Sequence, residues 1–329
     1  MNIITLTANP AVDRTYYVES LTVGAINRAR EVRSSIGAKG LNVSRIFRLC
    51  GVSAKALGFC GGANGEAIKA MLKAEDVPYD FVETAAESRI NIKIISEDGP
   101  FTEVNENGIV TQDEKARLVE SLQKEQQENP IDFLFLCGSV PQALGKDFYA
   151  EIVRLFDGSD SKIVVDAEGA LLQNALECRP GGVYLIKPNL YEFGLLTGSE
   201  YDLQGDYDAA LAQLSADAKA VSRKYGTEIL LTMGEFGAMY IHGDEIARVG
   251  ANKIEVKTFA GAGDTFLTAF LAARLGLLPD RAAMEIPEAL AFGAAATEAR
   301  MVLLPYELPT YEDIVARFAE MNVFSVNHI

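Results

Sequence analysis

Along most of this chain, short apolar runs of strand length alternate with longer stretches of helical period. No other feature constrains the fold as tightly. Residues 3–7, 54–59, 131–137, 162–167, 183–187 and 229–233 read as strands. Residues 41–49, 66–73, 115–126, 147–156 and 207–225 read as helices, the first with Val43, Ile46, Phe47 and Leu49 as its apolar positions. Strands that are apolar throughout need cover on both faces, and helical crossovers supply it. The expected class is therefore α/β, a mostly parallel central sheet flanked by helices. Such sheets bind ligands outside the carboxyl ends of their strands.

Two stretches break the pattern. Residues 14–36 and 88–105 read as alternating strands, with period two in Tyr17-Val18-Glu19-Ser20-Leu21 and in Arg89-Ile90-Asn91-Ile92-Lys93-Ile94. Each follows a strand of the main sheet, so the two are expected to pair into a small β-sheet lid over the pocket. No linker, low-complexity tract or internal repeat is visible, and the expectation is one domain over residues 1–329 with the lid inserted in it.

Composition removes several functional classes. No stretch approaches the length of a membrane span, and the start, Met-Asn-Ile-Ile-Thr-Leu-Thr-Ala-Asn-Pro, has no basic region and too short an apolar run for a secretory signal. Cys50, Cys60, Cys137 and Cys178 lie far apart, as reduced core thiols of a cytoplasmic protein would. A formal net charge of −16 argues against nucleic-acid binding. Yet Arg28, Arg30, Arg33, Lys39, Arg45 and Arg48 cluster against Glu31 alone, which suits either a small anionic substrate or a solvated basic face. The histidines, His242 in an expected strand and His328 near the end, have no triad or metal setting. Neither G-x-x-x-x-G-K-[ST] nor a strand-borne G-x-G-x-x-G is present.

What remains is chemistry by carboxylates, cations and backbone dipoles. Gly261, Ala262 and Gly263 carry almost no side chain, and Asp264 then opens the apolar run 266–278. Small residues entering a helix expose unpaired N–H groups beside the positive end of its dipole, and a carboxylate there could take a proton from an attacking hydroxyl. An Asp near an ordinary helix cap would look the same. Gly37-Ala38-Lys39-Gly40-Leu41-Asn42 is a second small-residue entry to a helix, with Lys39 for anionic oxygens and Asn42 for hydroxyls. In Asn9-Pro10-Ala11-Val12-Asp13, Asp13 either accepts from sugar hydroxyls or ends a strand. Arg89, Asn91 and Lys93 share one strand face and could clamp a phosphate, while Ile90, Ile92 and Ile94 share the other. In Lys187-Pro188-Asn189-Leu190-Tyr191-Glu192, Asn189 and Glu192 stand one helical turn apart, as a magnesium-and-phosphate pair or as a capping pair. Thr232, Gly234 and Gly237 form a tight connection that would permit close approach of a nucleotide.

In this order, over essentially the whole length, these motifs resemble the ribokinase-like carbohydrate kinases, the Gly-Ala-Gly-Asp-Thr run most specifically. The resemblance implies ATP- and Mg²⁺-dependent phosphorylation of a sugar hydroxyl. Asp264 would be the base, and the backbone of Gly261, Ala262 and Gly263 the anion hole. Asn189 and Glu192 would organise Mg²⁺ and phosphate, Glu192 as the metal ligand. Lys187, Thr232, Gly234, Gly237 and Gly293 would border the nucleotide. The N-terminal motif, Lys39, the Arg89–Lys93 strand and Thr102-Glu103-Val104-Asn105-Glu106 resemble the branch acting on sugar phosphates, the 1-phosphofructokinases and tagatose-6-phosphate kinases. The strand is closer to the former, which implies fructose 1-phosphate as acceptor. Asp13, Gly37, Ala38, Lys39, Asn42, Arg89, Asn91, Lys93 and Ser139 would hold it. A non-catalytic sugar-phosphate sensor of the same fold is the competing class. Three departures bear on the sugar: Ala38 in place of a glycine, Gly138-Ser139-Val140-Pro141-Gln142 without the usual Pro-Pro-Gly, and Ala299 where a polar residue is frequent. The resemblance also implies a homodimer joined through the lids, and the sequence gives a motive. The face of the lid away from the substrate, expected to carry Tyr17, Val18 or Leu21 with the isoleucines, needs apolar cover.

Overall fold

Apolar side chains alternate across the central strands and build a large core on each side of the main sheet, and a smaller cluster packs the small sheet against α1, α2 and β4. The computed structural model describes residues 1–97 and 101–321. Its first strands are β1 (Ile3–Thr7), β2 (Ala11–Val18), β3 (Glu31–Gly37), β4 (Ala54–Cys60), β5 (Tyr79–Glu83), β6 (Arg89–Ser96) and β7 (Thr102–Asn105). There follow β8 (Phe133–Cys137), β9 (Lys162–Asp166), β10 (Leu185–Ile186), β11 (Glu228–Thr232), β12 (Ala238–His242) and β13 (Glu245–Val249). The helices are α1 (Lys39–Leu49), α2 (Gly62–Ala74), α3 (Gln112–Glu128), α4 (Phe148–Leu155) and α5 (Gly169–Glu177). The later ones are α6 (Leu190–Thr197), α7 (Tyr207–Tyr225), α8 (Ala262–Arg274), α9 (Ile286–Met301) and α10 (Tyr311–Glu320).

Among the described residues the large sheet has nine strands in the order β13-β12-β11-β10-β9-β8-β1-β4-β5, parallel from β11 to β5, with an antiparallel β12–β13 hairpin on one edge. Leu134 and Leu136 join the core under α3 to α7, and Phe133 and Phe135 join the core under α1, α8, α9 and α10. Period two in one strand thus feeds both layers.

The small sheet, ordered β3-β2-β6-β7, is built from the two stretches expected to form it, with β2 and β6 parallel. Register puts Asp13 opposite Asn91 and Thr15 opposite Lys93 on one face, and Arg14 opposite Ile92 and Tyr16 opposite Ile94 on the other. Tyr17 therefore lies on the face of Asp13, not with the isoleucines as expected. Val18 does join the isoleucine face, and Leu21 lies beyond the strand.

Two expected elements change size. The strand at 183–187 is only Leu185–Ile186, and the helix expected over 266–278 starts earlier and ends at Arg274, just before Gly276 at φ 66°. His242 ends β12 on the surface, and His328 lies outside the described residues.

Candidate active site

Gly261 caps α8 at φ 74°, a left-handed conformation that glycine adopts without strain, and Asp264 falls in the first helical turn. Asp264 is 5% exposed, and Asn42 Nδ2 donates to its Oδ2 at 2.8 Å. Burial, and then the neighbouring Asp166 carboxylate, push the Asp264 carboxyl up to about 6. Such a carboxylate is ionised at neutral pH yet basic enough to accept a proton.

Asp166, at the carboxyl end of β9, is buried between two cations. Lys39 Nζ donates to its Oδ1 at 2.8 Å, and Lys187 Nζ stands 3.4 Å from its Oδ2, which has no hydrogen-bond partner. Burial works to raise this carboxyl, but Lys187 and Lys39 outweigh it and hold it below the ordinary value. Lys187 also packs against Gly263, where an added Cβ would meet Nζ at 2.9 Å. The turn of Gly261, Ala262 and Gly263, the Asp264 carboxyl and two lysines thus share one corner.

A cavity of about 320 Å³ opens beside this corner, lined among others by Asn9, Ala38, Lys39, Arg89, Ser139 and Glu192. Asn9 Nδ2 donates to Ser139 Oγ at 3.0 Å, and Arg89 donates to Asn91 Oδ1 at 2.6 Å and to the carbonyls of Asn9 and Glu106. Burial lowers the Arg89 guanidinium from its usual value, with Asp13, Glu103 and Glu106 opposing. Asp13 accepts from Asn91 Nδ2 at 2.8 Å and is ion-paired to Lys93. A Cβ on Gly37 would meet Asp13 Oδ1 at 2.0 Å, so only glycine lets the carboxylate take this position. Ala38, the next residue, caps α1 at φ 117° and ψ 138°.

Several expected sites take a different form. Lys93 is committed to Asp13, which leaves Arg89 and Lys39 as the cations at the cavity wall. The wider basic cluster is mostly neutralised: Arg30 pairs with Glu19 and Glu97, Arg33 with Glu31, Arg45 with Glu75 and Arg48 with Asp76. Asn189 and Glu192 form a reciprocal capping box at the start of α6, and Glu192 Oε1 stands 3.6 Å from Lys39. Among the described residues no three acidic, His or Cys side chains gather as a metal site. Thr232 ends β11 and is bridged to Asn189, and Gly234 and Gly237 lie in the β11–β12 connection. Gly293 does not border an open site. It is buried where α9 crosses α8, and a Cβ there would sit 3.1 Å from the Phe266 carbonyl. A larger hollow, about 390 Å³, lies near the ends of α1 and α2. Its Arg48 is spent on Asp76, and Arg48 and Lys73 occupy the last turns of those helices, so it gathers no comparable chemistry.

The model of the pfkB family carbohydrate kinases matches residues 6–301. This chain is a PfkB-family carbohydrate kinase. It is therefore a phosphotransferase with an alcohol group as acceptor. Among curated relatives, the 1-phosphofructokinase of Bacillus subtilis is 30% identical over 98% of this chain and 99% of its own. That of Borreliella burgdorferi is 32% identical over 82% of this chain and 83% of its own. Escherichia coli phosphofructokinase-2, solved with substrates and products, superposes with a TM-score of 0.84 at 23% identity, covering 98% of this chain and 99% of that one. Ribokinase from Thermotoga maritima has a TM-score of 0.72 at 16% identity, covering 97% of this chain and all (100%) of that one, which establishes the shared fold.

Sequence reading of this PfkB chain missed Asp166 and Arg300. Asp166 had one usable signal, its place at the carboxyl end of an apolar parallel strand. Arg300, 4% exposed in the last turn of α9, had none, because an alanine-rich helix does not announce which polar residue turns inward.

Proposed function

We propose that this kinase transfers the terminal phosphoryl group of ATP to the free primary hydroxyl of fructose 1-phosphate, giving fructose 1,6-bisphosphate and ADP. The carrying observation is the pairing of a buried base, Asp264, with a polar cavity that has Arg89 on its wall. The relatives named 1-phosphofructokinase support the choice of sugar. Asp264 takes the hydroxyl proton as the sugar oxygen bonds to phosphorus and the bond to ADP breaks. The first N–H groups of α8 receive the charge gathering on the moving group. Arg89 holds the phosphate already on the sugar, and Asp13, oriented by Asn91 and Lys93, receives the sugar hydroxyls.

The donor set fits Mg²⁺. Asp166 Oδ2 is buried without a hydrogen-bond partner, and Glu192 stands beside Lys39, the lysine that donates to Asp166 Oδ1. One or two carboxylates plus substrate phosphates and water is the usual magnesium environment. When bound, the ion neutralises phosphate charge. Lys39 and Lys187 do so from the protein side.

We further propose a cytoplasmic homodimer joined through the small sheets. The outward face of that sheet carries Val32, 49% exposed, and Val104, 56% exposed, beside Tyr16, Ile92 and Ile94. A second copy would cover this apolar surface through a two-fold contact.

ADP release measured with fructose 1-phosphate, fructose 6-phosphate, tagatose 6-phosphate and tagatose 1-phosphate tests the assignment. The highest kcat/KM is expected for fructose 1-phosphate. Binding of that sugar with no ADP release from any of the four would make the protein a sensor instead.

A further inference from the structure

Arg300 extends from the last turn of α9 to the entrance of α8. Its Nη1 donates to the Leu304 carbonyl at 3.2 Å and its Nη2 to the Pro305 carbonyl at 2.8 Å. A Cβ built on Gly261 would lie 3.8 Å from its Nε. Among the described residues no carboxylate stands within ion-pair distance of this guanidinium. Buried cations are ordinarily paired, because desolvating a charge is costly. The neighbouring Arg45 follows that rule, with Glu75 accepting from its Nε and Nη2.

Arg300 does the opposite. It lies beside the positive end of α8, and burial followed by the charge of Arg45 draws it down to about 10, against Asp264 and Glu307. Glu307 uses its Oε2 to accept the Leu304 N–H at 2.9 Å. The same end of α9 grips the segment leading into the turn. The N–H groups of Lys257 and Thr258 donate to the Met301 carbonyl at 2.8 and 3.2 Å, and Glu298 accepts from the Asn252 N–H at 2.9 Å. The cation is thus fixed relative to Gly261 by contacts that do not involve its own charge.

We propose that Arg300 is an electrostatic positioning residue of the anion hole, its unpaired charge held behind Gly261 to attract the terminal phosphoryl group of the nucleotide. As that group passes from ADP to the sugar oxygen, and the hydroxyl proton passes to Asp264, Arg300 stabilises the negative charge at the entrance of α8 without touching the reacting atoms. This deepens the kinase reading and rests on it.

The test replaces Arg300 by Gln and, to keep the apolar stem where the Gln variant is unstable, by Met. Removal of the charge is expected to lower kcat about tenfold while KM for the sugar phosphate stays within about twofold, and Arg300→Lys is expected to restore most of kcat. Asp264 is faced by Lys39 and Asn42 from α1, Asp166 from β9, Lys187 from the segment after β10 and Arg300 from α9. Loss of Arg300 is therefore expected to move the acid limb of kcat to higher pH, which a purely structural role would not do. Calorimetric titration of MgATP and MgADP needs no sugar. Arg300→Gln is expected to weaken ATP several-fold and leave ADP within about twofold. Equal weakening of both nucleotides, or an unchanged kcat in an active enzyme, overturns the proposal. A wild type that binds ATP but phosphorylates none of the four sugars overturns the kinase reading, and the two titrations still decide Arg300.

Discussion

Ala38→Gly is expected to stabilise the protein. At φ 117° and ψ 138°, Ala38 occupies a region where a Cβ crowds the backbone, and such conformations cost about 1–3 kcal/mol in a non-glycine residue. Glycine removes that strain but adds about 0.5–1 kcal/mol of unfolded-state entropy. The methyl group is half-buried at the cavity wall, so its loss opens no sealed void. The balance runs from about zero to a gain of about 2.5 kcal/mol, or a rise in Tm of up to about 4 °C when spread over the unfolding entropy of a chain this long. Reversible urea unfolding without ligands, with the m-value checked for constancy, gives the number directly. Ala38→Val is the control and is expected to lose stability, since a β-branched residue fits this conformation worse. A glycine variant with a lower midpoint than the wild type would refute the strain assignment.

Asp264→Asn is expected to lower kcat by about 10²–10⁴ with little change in either KM, and near wild-type turnover would remove Asp264 as the base. Because the Asp264 carboxyl is raised to about 6 and acts when ionised, kcat is expected to be level above that pH and to fall tenfold per unit below it; a pH profile with no acid limb between pH 5 and 7 contradicts this. Arg89→Ala is expected to raise KM for the sugar phosphate far more than KM for ATP, and steady-state kinetics showing equal effects would indicate general destabilisation instead. Ile92→Glu, on the outward face of the small sheet, is expected to give a monomer by light scattering, and a wild type already monomeric at micromolar concentration rules out the lid-to-lid dimer.

The central strands were legible because strands buried on both faces are written as unbroken apolar runs, as in Phe133–Cys137. Edge strand β5 was not, since Tyr79–Glu83 contains two acids and lies only half-buried. Helix α9 escaped notice for the converse reason: it is buried nearly all round, and its alanines leave no polar stripe to set a period. In the site, the glycine turns before α1 and α8 could be read locally, because backbone conformation is a local property. The pairing of Lys93 with Asp13 could not be, since it depends on a parallel register between strands about 80 residues apart, and neither residue names its partner.

The position of β1 has a consequence for synthesis of the chain. Of the described strands it leaves the ribosome before the others, yet it lies inside the sheet, paired on one side to β4 and on the other to β8. The β4 side can close early. The other edge waits until residue 137 has emerged, and β2 likewise waits for β6. At a translation rate of about 5–20 residues per second, that interval lasts several seconds, during which Ile3, Ile4 and Leu6 sit beside an open hydrogen-bonding edge. Nascent chains stalled before β8 should therefore bind holdase chaperones, and the chain carrying all the strands of the sheet should not.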